Sequence, residues 1–215
     1  MSIKLNNFDY DTIENYYQKN LIENNFWIFG SNALETTTPI SVNTAAQETD
    51  FLGSVSIPSD VYYGISTKRA LDNFNVSNEL VNIKIVRELV NLKKQAAFTN
   101  HKLGYIDDKI GNAIMDACDA VLSGKFDSNF VVNKYQGGAG TSTNMNVNEV
   151  VANVALELIG HKKGSYDVIH PINHVNLHQS TNDTFPTSVK IAAIKQIRLL
   201  ASEYAQLQQT FQEKE

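Results

Sequence analysis

Two polar segments about forty residues apart carry the residues best suited to chemistry in this chain. The first is Tyr135-Gln136-Gly137-Gly138-Ala139-Gly140-Thr141-Ser142-Thr143-Asn144-Met145-Asn146-Val147-Asn148-Glu149. The second is His178-Gln179-Ser180-Thr181-Asn182-Asp183-Thr184-Phe185-Pro186-Thr187. Each gathers hydroxyls, amides and bare backbone N–H groups where a helix should begin. Helix N-termini carry unpaired donors and partial positive charge, so such a segment can hold a small carboxylate with few cationic side chains. Two of them suit an anion with two ends.

Taken alone, the first loop has a simpler reading. Gly137, Gly138 and Gly140 permit positive φ and close backbone approach, while Thr141, Ser142 and Thr143 add hydroxyls. No Gly-Lys-Ser/Thr follows, and no strand with a later acidic ribose ligand flanks it, so neither nucleotide fingerprint is present. A glycine turn that caps the next helix would account for it. The second loop has a surplus: Ser180, Thr181, Asn182 and Asp183 are four capping residues where one or two suffice. That surplus points to a ligand, against the alternative of an over-determined cap. Nearby, His170, His174 and His178 recur every four residues, as helical metal ligands would. Pro171 interrupts any helix through them, and no acidic or cysteine ligand is suitably spaced. They and His161 are read as polar structural residues, with no metal and no cofactor expected.

The elements that must position these loops read as mostly helical. Helical periodicity runs over 79–101 through Leu80, Ile83, Val86 or Arg87, Val90 and Lys94, and again over 107–122 with Asp107 or Asp108 as cap and Gly124 as stop. A third helix is expected over 146–158, closed by Gly160. The alternation over 51–64 around Pro58 predicts a hairpin or extended segment, and a short helix is expected near 12–23 before a loop at 36–39. After the second loop, Ala193, Ile197, Leu200, Tyr204, Leu207 and Phe211 recur at spacings of 4, 3, 4, 3 and 4. This is a bundle seam, capped by Asp183 or Thr184 with Pro186 in the first turn. No earlier helix matches its length and stripe, so its partner is expected in later sequence or other subunits.

Composition narrows the function class. At 215 residues with 42% apolar content the chain can bury a core, and its net charge of −5 without a basic stripe argues against nucleic acid or an anionic membrane. Cys118, the single cysteine, reads as a buried small hydrophobe. With no membrane-length apolar run and no signal pattern, a cytoplasmic setting is expected.

The combination of motifs resembles the aspartase/fumarase superfamily. The similarity rests on Gly137 through Thr143, Asn144-Met145-Asn146-Val147-Asn148-Glu149-Val150 and Gln179-Ser180-Thr181-Asn182-Asp183. It extends to Phe51-Leu52-Gly53, Ile57-Pro58, Tyr62-Tyr63-Gly64, Arg69 through Phe74, and Glu157-Leu158-Ile159-Gly160-His161-Lys162-Lys163-Gly164. Ala139 and Thr181 are similar to the aspartate ammonia-lyases, where fumarases typically carry serine. Residues 49–215 are covered; 1–48 align to nothing in the family. The resemblance implies a mainly α fold: 1–48 unassigned, 49–178 an N-terminal lyase domain with short helices and a small hairpin, and 179–215 the first long helix of a central bundle. It further implies cofactor-free, reversible elimination of ammonia from L-aspartate to fumarate, in a homotetramer. A class II fumarase or another lyase of the superfamily, or a non-catalytic truncated or assembly chain, is the alternative.

By that resemblance Thr141, Ser180, Thr181 and Asn182 bind the substrate carboxylates. The family's base, a serine on a Gly-Ser-Ser-x-x-Met-Pro loop, has no counterpart here, nor does its Gly-Arg-Thr segment, so no catalytic residue is assigned. The chain is therefore expected to be the N-terminal part of a longer enzyme and inactive by itself. At His170-Pro171-Ile172-Asn173 it departs from the additional anion site of fumarases.

Overall fold

Asn82, Asp107, Gly140 and Ser180 set the starts of the long helices, the first two with a side-chain cap and the last two without one. The computed structural model describes residues 45–214, and the helix expected near 12–23 and the loop at 36–39 lie outside the described residues. Strands β1 (Ala46–Asp50) and β2 (Gly53–Ile57) form an antiparallel hairpin, with Ala46 opposite Ile57 and Asp50 opposite Gly53. The pairing lies earlier than the alternation over 51–64 predicted, because Gly53 at φ 111° closes the turn and Pro58 follows the last paired residue. Helix α1 (Ile65–Asn73) holds the hairpin: Arg69 grips Asp50 with two bonds of 2.7 and 2.6 Å.

Helix α2 (Ile83–Lys102) begins four residues later than its periodicity suggested. Asn82 caps it, its Oδ1 accepting from Lys84 N at 2.9 Å. Residues 79–81 instead run beside the strand-like 132–134, with Val81 N donating to Val132 O at 3.2 Å. Ile83, Val86 and Val90 of the expected stripe do pack inward, joined by Leu89 and Ala97, but it is Lys93 that continues the buried face, whereas Lys94 reaches outward to Asp119. Helix α3 (Asp108–Leu122) starts as read, with Asp107 Oδ1 accepting from Ile110 N at 2.8 Å, and ends before Gly124 at φ 90°.

Helix α4 (Thr141–Leu158) is the hub. It packs against α2 and α3 with Val147, Val150, Val151 and Leu156 fully enclosed, against Leu89, Ile114, Ala117 and Cys118. Each such aliphatic contributes about 1.5–3 kcal/mol through burial. Burial also pushes the Cys118 thiol up to about 12, which leaves it a packing residue, as read. Helix α4 is buried on its polar side too, because its asparagines and Glu149 serve neighbouring segments. Asn146 donates to Asn129 O at 3.0 Å and Asn153 donates to Tyr62 O at 2.9 Å.

A π-helical turn (Pro171–Val175) leads to helix α5 (Thr181–Gln212). Ser180 is the N-cap, not Asp183 or Thr184, so Pro186 sits within the helix and Asn182 loses the donor that residue would have supplied. The first half of α5 does have a partner within the chain, contrary to expectation. Ser188 and Ala192 are buried, α2 packs alongside, and Lys195 meets Glu88 at 2.7 Å. Farther on the seam is open, with Ile197, Tyr204 and Phe211 more than half exposed. The chain is thus mainly α with a small hairpin, as its pattern predicted. No helix among the described residues is long and apolar enough to cross a membrane.

Candidate functional site

The first loop reaches α4 through Gly140, whose φ of 79° favours glycine. A Cβ on Gly140 would overlap Cγ, Cδ1 and Cδ2 of Phe185, which projects from the second turn of α5. The two polar segments are therefore in direct contact. Gln136 serves as the cap that Gly140 lacks: its Oε1 accepts from Thr143 N at 2.9 Å and its Nε2 donates to Thr143 Oγ1 at 2.8 Å. Among the described residues, the backbone N–H groups of Thr141 and Ser142 have no acceptor. The exposed hydroxyl of Thr141 likewise has no partner among them.

Ser180 caps α5 with its backbone, its carbonyl accepting from Asp183 N at 3.1 Å and Thr184 N at 3.0 Å. Its hydroxyl makes no capping bond. Ser180 and Asn182 are exposed, with side chains unbonded among the described residues. Thr181 differs: its Oγ1 accepts from Asn144 Nδ2 at 2.9 Å. That bond occupies an acceptor position and leaves the Thr181 hydrogen free to point outward.

Beneath the loops lies a polar node absent from the sequence reading. Asn176 Oδ1 accepts from Lys93 Nζ at 2.7 Å, Asn144 Nδ2 at 3.1 Å and Asn148 Nδ2 at 3.2 Å. Lys93 is fully buried, and desolvation lowers its pKa to about 7. Asn148 thus braces the scaffold from within, as Asn146 does, and neither amide faces the loops. A lysine sharing a helical stripe with Leu89, Val90 and Ala97 was the signal for Lys93. Asn176 gave none, since the side chains that meet its oxygen come from two distant segments, α2 and α4.

The fold applies the same helix-terminus device to itself. The buried carboxylate of Glu149 sits at the N-terminus of α1, accepting from Gly64 N at 2.9 Å, Ser66 N at 2.8 Å, Thr67 N at 3.1 Å and Thr67 Oγ1 at 2.6 Å. A Cβ on Gly64 would collide with the Tyr166 hydroxyl and with Glu48, so this site is closed. Among the described residues no carboxylate accepts from the N-terminal N–H groups of α4 or α5, although Asp183 stands exposed in the first turn of α5. Two open clefts border the first loop, one of about 480 Å³ lined by Gln136, Gly138, Gly140 and Phe185, and one of about 550 Å³ lined by Ser66, Arg69, Asn73 and Ser142. Neither is lined by Ser180, Thr181 or Asn182.

The histidines hold turns. His170 Nδ1 accepts from Ile172 N at 3.0 Å, and His174 Nδ1 accepts from His170 N at 2.8 Å. Burial lowers the pKa of both rings. His178, at φ 58°, bonds Asn100 at 2.9 Å.

A family model described as Lyase matches residues 53–215. The chain is 46% identical over 167 residues to an aspartate ammonia-lyase from a Bacillus species, covering 78% of this chain and 36% of that relative. It is 46% identical over 175 residues to the aspartate ammonia-lyase of Escherichia coli strain K12, covering 80% of this chain and 37% of the relative. Among solved structures, a fumarate lyase:delta crystallin from Brucella melitensis superposes with a TM-score of 0.68 at 47% identity, over 70% of this chain and 35% of that one. A class II fumarase from Schistosoma mansoni gives 0.66 at 43% identity, over 69% and 31%. The chain thus spans little more than a third of the curated relatives it matches. It belongs to this lyase family, the aspartase/fumarase superfamily.

Proposed function

We propose that this lyase-family chain carries one part of the substrate site of an aspartate ammonia-lyase, which removes ammonia from L-aspartate to give fumarate and runs the reverse addition. The single observation that carries the reading is the bond from Asn144 to Thr181 Oγ1, which ties the N-terminus of α4 to that of α5. Two anion-attracting termini held together fit one small molecule with two carboxylates.

The chemistry accounts for the residue types. Taking a proton from the carbon beside a carboxylate builds negative charge on that carboxylate, and donors already in place lower the barrier. In this reading Thr141 binds the substrate at one terminus, while Ser180, Thr181 and Asn182 hold carboxylate oxygens at the other. Neutral donors strengthen as charge develops and still release fumarate, so they favour the transition state over the ground state. The base serine lies in a part of the protein outside these 215 residues, and these residues alone make no fumarate. We take 49–178 as the N-terminal domain and 179–215 as the first bundle helix of a cytoplasmic homotetramer, with the open seam of α5 at its core.

The identity of the relatives favours aspartate over malate. Fumarate formation by the intact gene product, assayed with each substrate in turn, tests the proposal. Fumarate and ammonia from L-aspartate are expected; fumarate from malate alone would make it a fumarase.

A further inference from the structure

Helix α1 bridges two points of the α4 region. At its start, Glu149 of α4 accepts from the N–H groups of Gly64, Ser66 and Thr67. At its end, the ring of Phe74 reaches the loop that leads into α4: a Cβ on Gly137 would lie 3.3 Å from Phe74 Cζ and 3.7 Å from its Cε1. The two spans match in length. Ile65 to Phe74 rises about 13 Å, and Thr141 to Glu149 about 12 Å. Helix α1 thus lies antiparallel along the first two turns of α4, pinned at both ends.

The loop needs the second pin. Among the described residues, the backbone N–H groups of Gly137, Gly138 and Ala139 have no acceptor, and Gly138 and Gly140 stand in the left-handed region. A glycine-rich turn without such bonds loses the most entropy when held in one conformation. Side chains must supply the order. Gln136 bonds Thr143, and Phe185 covers Gly140. Phe74 covers Gly137, at the entry to the loop. The two rings border different clefts, Phe185 the one beside Gln136 and Gly138, Phe74 the one that Ser142 also lines. Core packing does not account for Phe74, which is half-buried and stands outside the hydrophobic cluster around Leu89 and Val150.

We propose that Phe74 is a positioning residue: its ring on Gly137 holds the first loop so that the N–H groups of Thr141 and Ser142 stay aimed at a substrate carboxylate. This rests on the reading of the loops as a dicarboxylate site. The N–H groups touch the substrate; Phe74 acts through Gly137.

The test is steady-state kinetics of the intact protein with L-aspartate, well below the thermal midpoint of each variant. Leucine at position 74 keeps the packing nearest α1 and ends short of Gly137. Donors that drift matter most where charge has built up, so Phe74→Leu should lower kcat about 10–10²-fold with KM changed less than about threefold. A merely structural phenylalanine would leave the kcat of the folded enzyme unmoved. Phe74→Met, whose unbranched chain reaches as far as the ring, should restore kcat to within about threefold of wild type. If Phe74→Leu does not fold, Gly137→Ala disturbs the same contact from the loop. The φ of Gly137 lies outside the left-handed region, so the methyl group changes only the space the ring occupies, and kcat should again fall. In the double variant that methyl group meets vacated space, so it should be no slower than Phe74→Leu alone. A kcat within about twofold of wild type in both single variants, or losses that multiply in the double, would overturn the clamp alone. A wild-type protein that makes no fumarate from L-aspartate would overturn the aspartate reading, and the role of the clamp with it.

Discussion

The side-chain amide of Asn144, in the first turn of α4, donates to the hydroxyl oxygen of Thr181, the first residue of α5, at 2.9 Å. Two helix N-termini separated by about forty residues of sequence are therefore held together from below. Phe185 lying on Gly140 holds them from the side.

The second of these contacts predicts the cost of filling Gly140. Gly140→Ala places a methyl group in steric overlap with three carbons of the Phe185 ring and forces a non-glycine residue to φ 79°. Left-handed backbone and overpacking together should destabilise the fold by roughly 2–4 kcal/mol. Denaturant unfolding measures it, and a loss below about 0.5 kcal/mol, as at an ordinary surface site, would mean that the loops do not touch.

At the exposed donors the opposite balance is expected. Thr141→Ala and Ser180→Ala remove hydroxyls unbonded among the described residues, so stability should change by less than about 0.5 kcal/mol. Turnover of the complete enzyme should fall by about 10²–10³-fold if these groups meet developing charge. Wild-type rates with an intact fold would reduce both to parts of a cap.

Some of this was legible in the chain and some was not, for reasons that differ by residue. Asp107 and Gly124 declare a helix by local chemistry alone, and the structure has them as read. The surplus of Ser180, Thr181, Asn182 and Asp183 marked the right turn, yet the cap is Ser180 because Pro186 is tolerated inside a helix that α2 supports. Val86 and Val90 lie on the buried face of α2 as read, but the lysine that continues it is Lys93 and not Lys94, since an aliphatic stem can share an apolar face whichever way its head points. The partners of Asn146, Asn148 and Glu149 lie 17, 28 and up to 85 residues away. No local pattern encodes such contacts, and so these polar residues of the first segment prove to be braces.

Glu149 is the sharpest of those braces. Its carboxylate accepts four hydrogen bonds at the start of α1 in a fully buried position. Glu149→Gln replaces one acceptor oxygen by a donor facing N–H groups, which should cost about 2–4 kcal/mol. A thermal midpoint equal to that of wild type would contradict the geometry.

Glu48, beside it, predicts a pH dependence. Its Oε2 accepts from Ile65 N at 2.8 Å, but burial, with a smaller contribution from the Glu149 charge, raises its pKa. A carboxyl with a raised folded pKa holds its proton more tightly folded than unfolded. Its contribution to stability is complete at acid pH and is lost as pH climbs from the ordinary carboxylate range through the raised value. Wild-type stability should therefore fall relative to Glu48→Gln over that climb, the glutamine keeping the bond to Ile65. Thermal midpoints of the two proteins across a pH series measure this, and parallel profiles would remove the effect.

The central claim is that the N-termini of α4 and α5 hold the two carboxylates of one small molecule. A crystal structure of the intact protein with fumarate tests it most directly. One carboxylate should lie about 3 Å from the N–H groups of Thr141 and Ser142, and the other should meet Ser180, Thr181 and Asn182. Fumarate bound elsewhere, or touching only one of the two termini, would contradict the account.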